Sequence, residues 1–201
     1  MLDLAILGLL RDRDLHGYEL KKQLHELLGA RGATSYGSLY PALARLEKAG
    51  LVKAVEANTR TDRGVPSSGS LAGELAAFRA RRALPSPGGR GRKVYGITEL
   101  GEAQLVALLR EAAGDDRTFA LQVAFCRFLD PAPRLALFER RRYELAGRLA
   151  DAEAADGRRV GVLDRYLGSL RERDSLALTT DLAWLDRLIA AEKASLQQEE
   201  A

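Results

Sequence analysis

The chain holds one cysteine, one methionine, one tryptophan and two histidines in 201 residues. A lone Cys126 excludes an intramolecular disulfide, and its place in the apolar run from Ala124 to Leu129 reads as a small buried hydrophobe. His16 stands at a helix start, and His25 has no second histidine, cysteine or carboxylate at ligand spacing, so neither a metal nor a cofactor is expected. Long apolar runs are missing as well. Leu4 to Leu10 is far short of the roughly 18 to 20 residues that cross a bilayer, and acidic Asp3 stands where a signal peptide carries positive charge. The expectation is a cytoplasmic protein with no membrane contact. No nucleophile with a base, acid–base pair or phosphate loop is present either. Gly88-Gly89-Arg90-Gly91-Arg92-Lys93 is Gly-rich but lacks phosphate-loop spacing and precedes a strand instead of a helix. Glu139 followed by Arg140, Arg141 and Arg142 reads as a helix surface, so an enzyme is not expected.

What is present is a globular composition, 46% hydrophobic and 29% charged, which argues against wholesale disorder. The length suits a small domain of roughly 100 residues with a helical appendage of similar size. The net charge of +3 conceals an asymmetry: residues 1–58 carry +1, residues 59–98 carry +6 and residues 99–201 carry −4. Positive charge concentrated in one loop-like segment suits contact with a polyanion, although a solvated basic loop would have the same composition.

Along the chain, Leu2 to Leu10 fits a short buried helix that ends before Arg11-Asp12-Arg13-Asp14. A second helix begins near His16-Gly17, with Tyr18, Leu20, Leu24, Leu27 and Leu28 near one face, and ends at Gly29 to Gly32. Thr34-Ser35 offers capping hydroxyls for a third, whose stripe is Leu39, Leu43 and Leu46. Pro41 is expected in its opening turn, where a missing N–H is no loss, and Gly50 is a left-handed cap at its end. Leu51 to Glu56 and Lys93 to Thr98 read as two strands of a hairpin. Between them, residues 57–92 form a long insertion rich in Gly, Ser, Pro and Arg, with one apolar patch from Leu71 to Phe78; loops of that length tend to be functional or disordered. Thr98 caps a fourth helix running to roughly Ala113. Gly114-Asp115-Asp116 then marks a boundary. A helix from Phe119 to Leu129 follows, then one opened by Asp130-Pro131. A last long helix carries apolar residues at intervals of three and four, with a break around Glu172 to Ser175.

Three helices, a two-stranded wing and a fourth helix, in that order, are the layout of a winged helix-turn-helix, in which the third helix enters the major groove. The expected fold is therefore mainly α, with a winged helix-turn-helix at 1–113 and an α-helical dimerisation domain at 114–201. The turn that would face DNA carries small or hydrogen-bonding residues: Ser35, Tyr36, Gly37, Ser38 and Tyr40, with Arg45 two turns on. A helix N-terminus attracts phosphate, and a Tyr hydroxyl reaches phosphate or base edge. Packing of Tyr36 or Tyr40 against the second helix is the alternative reading. Arg90, Arg92 and Lys93 sit at the return of the wing, with Arg79, Arg81 and Arg82 upstream, and suit phosphate or a narrow minor groove.

Five segments in this order resemble the PadR family of regulators: Leu4-Ala5-Ile6-Leu7-Gly8-Leu9-Leu10, His16-Gly17-Tyr18-Glu19-Leu20, Gly37-Ser38-Leu39-Tyr40-Pro41-Ala42-Leu43, Arg45-Leu46-Glu47-Lys48-Ala49-Gly50-Leu51 and Arg92-Lys93-Val94-Tyr95-Gly96-Ile97-Thr98. The resemblance implies a homodimer on a pseudo-palindromic operator in double-stranded DNA, usually a repressor released by a small-molecule effector, with the last helix packed on the partner's N-terminal domain. Family members commonly have a short wing turn where this chain has over thirty residues.

In the last helix Leu163, Leu167, Leu170, Leu178, Leu182, Leu185 and Ile189 form the stripe expected to dimerise, since a three-four repeat is best buried against another such helix. Two recognition helices related by a two-fold axis would meet major grooves about 34 Å apart, so the operator is expected to be an inverted repeat. Phe125, Phe138, Tyr166 and Trp184 are either the aromatic wall of an effector pocket or ordinary core. A winged helix used for protein contacts alone is the rival function, and it would want a neutral third helix and wing.

Overall fold

The computed structural model describes residues 1–29, 36–56, 93–157 and 165–199. The long insertion, with Arg79, Arg81, Arg82, Arg90 and Arg92 and the apolar patch from Leu71 to Phe78, lies outside the described residues, as do Ser35 and Leu163. The order is α1 (Leu2–Asp12), β1 (Leu15–His16), α2 (Gly17–Leu28), α3 (Tyr36–Lys48), β2 (Val52–Glu56), β3 (Lys93–Ile97), α4 (Glu99–Arg110), α5 (Asp116–Phe125), a 3-10 turn (Cys126–Phe128), α6 (Pro131–Gly157) and α7 (Arg165–Glu199). It is a mainly helical winged-helix fold followed by a helical C-terminal part. Two compact units are present, Leu9–Gly101 and Met1–Gly8 with Glu102–Ala201; their boundaries fall inside α1 and α4.

In the unit Leu9–Gly101 the buried residues follow helical spacing. Leu39, Ala42, Leu43 and Leu46 line the inner side of α3, and Leu20 and Leu24 that of α2. Tyr18, expected on the apolar face of α2, is 68% exposed. It lies two residues, or about 200°, from Leu20 around the helix, and the stripe is set by Leu20 and Leu24. Pro41 lies not in the opening turn of α3 but inside it, at a position whose N–H would otherwise bond the carbonyl of Gly37.

The sheet has three strands where the sequence shows two. Its order is β1-β3-β2 and both pairings are antiparallel, with Leu15 opposite Tyr95 and Ala54 opposite Tyr95 on the other side. A two-residue strand is too short to display alternation, so β1 leaves no pattern to read. Beside it, β3 runs so close to the preceding loop that a Cβ on Gly96 would meet the carboxylate of Asp14.

The end of α3 is a Schellman motif. Gly50 takes φ +72°, its N–H donates to the Glu47 carbonyl (3.0 Å), and the Leu51 N–H donates to the Leu46 carbonyl (3.0 Å). Thr98 locks this turn to the start of α4. Its hydroxyl donates to the Gly50 carbonyl (2.7 Å) and accepts from the Gly101 N–H (3.1 Å), while its own N–H donates to the Leu51 carbonyl (3.1 Å). Gly101 sits so near that carbonyl that any Cβ there would collide with the Leu51 backbone.

In the other unit, a Cβ on Gly8 would stand 2.6 Å from the ring of Phe125, so α1 packs flush on this aromatic. The sequence suggests a helix from Phe119 to Leu129; α5 instead starts at Asp116, because Asp115 caps it by accepting from the Thr118 N–H (2.7 Å), and ends at Phe125 in the 3-10 turn. That hydrogen bond holds the Asp115 carboxyl below its usual value. Fully buried Gln122 spreads its Nε2 donors over the carbonyls of Leu108 (3.2 Å), Leu109 (3.4 Å) and Glu111 (2.9 Å), and Arg140 donates to those of Arg110 (2.9 Å) and Glu111 (2.6 Å). Between them they satisfy the orphan carbonyls that end α4.

Helices α6 and α7 pair antiparallel, as the bridges Arg134–Glu192 (2.7 Å), Lys193–Glu139 (2.8 Å) and Arg142–Asp186 (2.5 Å) show. Helix α7 is continuous from Arg165 to Glu199, straight through the break in the apolar repeat at Glu172 to Ser175. Glu172, Arg173 and Asp174 are exposed and interrupt the apolar stripe, but none of them disfavours helical backbone as Gly or Pro would.

Replacing Thr98 by Val keeps the volume and removes both hydroxyl contacts. The expected loss is about 1–2 kcal/mol of unfolding free energy by urea denaturation; an unchanged midpoint would show that the Gly50–Gly101 lock contributes nothing.

Candidate nucleic-acid interface

All described candidate residues for DNA contact belong to the unit Leu9–Gly101. Because the stripe Leu39, Leu43 and Leu46 faces inward, the rest of α3 faces outward: Gly37, Ser38, Tyr40, Arg45 and Lys48 are exposed. Tyr36 is placed on the helix backbone. Tyr40 packs against α2 and still keeps surface open to solvent. Its side is 46% exposed, yet a Cβ on Gly17 would stand 3.2 Å from its hydroxyl oxygen, so the ring lies across the start of α2. That start is fixed by Glu19, whose carboxylate accepts from the His16 N–H at 3.0 Å.

Lys93, at the first position of β3, reaches back to α3, with its Nζ 3.7 Å from Glu47 Oε2. Glu47 stands seven residues beyond Tyr40, two turns along the same side of α3. Two residues on from Lys93, on the same face of the strand, Tyr95 is only 6% exposed. Burial raises its phenol pKa, and the charge of Glu47 and the neighbouring Tyr40 raise it further. The arrangement is therefore a ladder between helix and strand, Tyr40 and Glu47 facing Tyr95 and Lys93. Glu47 and Tyr95 were not among the candidates read from the sequence. The seven-residue step from Tyr40 to Glu47 and the two-residue step from Lys93 to Tyr95 carry that signal, but only when the strand is known to lie against the helix.

Residues 6–65 match the Transcriptional regulator PadR-like family. The matched stretch includes α2, α3 and β2, and thus the exposed side of α3. Among solved structures, Bacillus subtilis PadR in complex with operator DNA is 19% identical, with 95% of this chain and 98% of that chain covered and a TM-score of 0.36. The same protein in complex with p-coumaric acid is also 19% identical, covering 96% and 98%, with a TM-score of 0.37. The Vibrio cholerae virulence activator AphA is 19% identical, covering 97% and 99%, with a TM-score of 0.36. Comparison with curated proteins gave no match.

The remaining candidates lie in the other unit. Along α7, Leu167 and Leu170 are 45% and 52% exposed, Leu178 and Leu182 are half-buried, and Leu185 and Ile189 are buried within the chain. Of the four aromatics, Phe138 is fully buried and Phe125 stacks on Phe128 (6.3 Å between centroids), whereas Trp184 meets Phe119 edge-on (6.4 Å) and Tyr166 is 70% exposed. Among the described residues no helix is long and apolar enough to cross a membrane, and no group of three metal-ligating side chains converges.

An unfolded tyrosine ionises near pH 10. Since Tyr95 keeps its proton to higher pH when folded, stability is intact below about pH 10 and falls as pH climbs through the raised value. An absorbance titration should show one late-ionising tyrosine that disappears in Tyr95→Phe; a titration identical in the two proteins would contradict the burial.

Proposed function

We propose that this protein is a sequence-specific DNA-binding transcriptional regulator that acts as a homodimer on an inverted-repeat operator, as a ligand-responsive repressor. The observation that carries the reading is the outward side of α3. Its first turns present exposed Gly37, Ser38 and Tyr40, and exposed Arg45 follows two turns on. Small residues let a helix approach the groove, hydroxyls bond base edges or phosphates, and arginine binds phosphate. Ser35 and Tyr36 stand just before Gly37 in sequence. Lys93, with Arg90 and Arg92 just before it in sequence, supplies basic charge for phosphate, and residues 1–113 form the DNA-binding domain.

Residues 114–201 serve as the dimerisation domain. The first half of α7 leaves Tyr166, Leu167, Leu170 and Leu176 exposed at 70%, 45%, 52% and 61%. An apolar stripe of that density on a helix is best covered by a second copy, and closed two-fold dimers are the commonest oligomers. Leu163 continues the stripe in sequence, and Leu178 and Leu182 continue it as half-buried members, whereas Leu185 and Ile189 serve the packing of α7 within its own subunit. An effector pocket would lie between subunits: Tyr166 and Trp184, the accessible members of the aromatic set, stand about 27 Å apart along α7 and meet only from different copies, with Phe125 and Phe138 in the core of each.

Binding of the purified protein to its own upstream intergenic DNA is compared with binding to an unrelated duplex over a range of salt. The expected result is a salt-sensitive complex with the first that is at least about 10³-fold tighter than with the second. Ser38→Ala and Arg45→Ala should each weaken the specific complex by about 1–3 kcal/mol if they touch bases, and less if they touch only backbone. Equal binding of both duplexes leaves that site unsupported as an operator, and absence of binding at low salt favours a protein-interaction module. Leu170→Glu should shift the sedimentation mass from dimer to monomer without unfolding the chain; a dimer that survives it would place the interface elsewhere.

A further inference from the structure

We propose that Glu47 limits how strongly the wing root engages phosphate, by holding Lys93 against α3. The inference rests on the DNA-binding reading above and concerns a residue that sequence reasoning did not single out.

Three observations carry it. Lys93 is the first residue of β3, where the basic segment returns to the body, and its ammonium lies 3.7 Å from Glu47. Both partners remain open to solvent, at 46% and 38% of their side-chain surface, so a phosphate can approach the lysine while the carboxylate is still beside it. Glu47 is also the charge that, after burial, raises the pKa of Tyr95, which places the carboxylate over the same strand face that carries residues 93 and 95.

A lysine in this position has two ways to meet DNA. It can leave Glu47, forfeiting the pair, or it can stay and bring a carboxylate within a few ångströms of the phosphate. The Debye length at physiological salt is about 8 Å, so neither salt nor distance removes that repulsion. Either route weakens binding to every sequence alike, because phosphates carry no sequence information. A restraint of this kind lowers non-specific affinity and leaves discrimination to the exposed turn of α3.

The test uses the full-length protein and a fluorescent mixed-sequence duplex, which needs no knowledge of an operator. Wild type, E47Q, K93M and E47Q/K93M are titrated at several salt concentrations. With Lys93 released, E47Q should bind up to about fivefold tighter, the upper range for an exposed ion pair. Its log–log salt dependence should be steeper by about 0.9, one additional phosphate contact. Both gains should vanish in E47Q/K93M. The single variant K93M should lose only part of one phosphate contact, a slope shallower by well under about 0.9, because a lysine beside Glu47 releases few counterions; this arm decides the matter if E47Q melts early. An unchanged slope in a folded E47Q, a gain that survives loss of Lys93, or a slope shallower by about 0.9 in K93M would each overturn the inference while wild-type binding stands. Failure of wild type and E47Q alike to bind the duplex at low salt would remove the DNA-binding reading and the inference together.

Discussion

The unit Leu9–Gly101 depends on a crossing of two backbones. The carbonyls of Gly50 and Leu51, just past α3, are taken by the hydroxyl and N–H of Thr98, and Gly101 approaches the same turn too closely for any side chain. Three donors and one missing methyl therefore fix where α3 stops, where β2 begins and where α4 starts. The sheet follows from it, since β2 leaves the crossing and β3 returns to it in register, Val52 opposite Ile97. So does the orientation of α3. Its inner stripe is committed to the core at Leu39, Leu43 and Leu46, and whatever lies on the opposite side must face solvent. The contact between Tyr40 and Gly17 then sets the start of α2 against the same helix. An exposed helical side of defined direction, rather than any single residue, is what the crossing produces.

Where a physical signal is local, the sequence carries it. Gly50 announces its left-handed cap because a residue with a Cβ would be strained at φ +72°. Asp130-Pro131 opens α6 because proline costs nothing at a first helical position. The stripe of α3 is legible because helical spacing survives without tertiary help. Signals that require two elements to meet are not legible in this way. β1 has two residues and exists only because β3 lies beside it. Tyr18 looks apolar in a list of residues but is turned outward by the geometry of its neighbours. Glu47 reads as one more charge on a helix until Lys93 is brought to it from across an insertion of over thirty residues. The interruption at Glu172 to Ser175 is a gap in the hydrophobic pattern and not in the backbone, which a single long helix carries through it.

The C-terminal unit solves its polar problems with long side chains. Gln122 and Arg140 reach the last carbonyls of α4 where no capping glycine intervenes, and Arg141, 8% exposed, lies 5.0 Å over the ring of Phe119 while binding Asp116 and Glu144. Such a network rewards completeness, since a buried polar group deprived of its partner costs more than the partnership contributes. Among the described residues of this network, Gln122 Oε1 and Arg141 Nε are buried without a hydrogen-bond partner.

Helix α7 spends its two halves differently. The second is committed, with Leu185 and Ile189 sealed and Glu192 and Lys193 tied to α6. The first keeps Tyr166, Leu167, Leu170 and Leu176 in water. At roughly 25 cal/mol for each Å² of apolar surface, that wetting is a standing free-energy cost that falls whenever the stripe meets another nonpolar surface. That half of α7 is consequently adhesive along one line, and yield on overexpression, losses on concentration and adsorption to plastic all respond to how much of it stays wet.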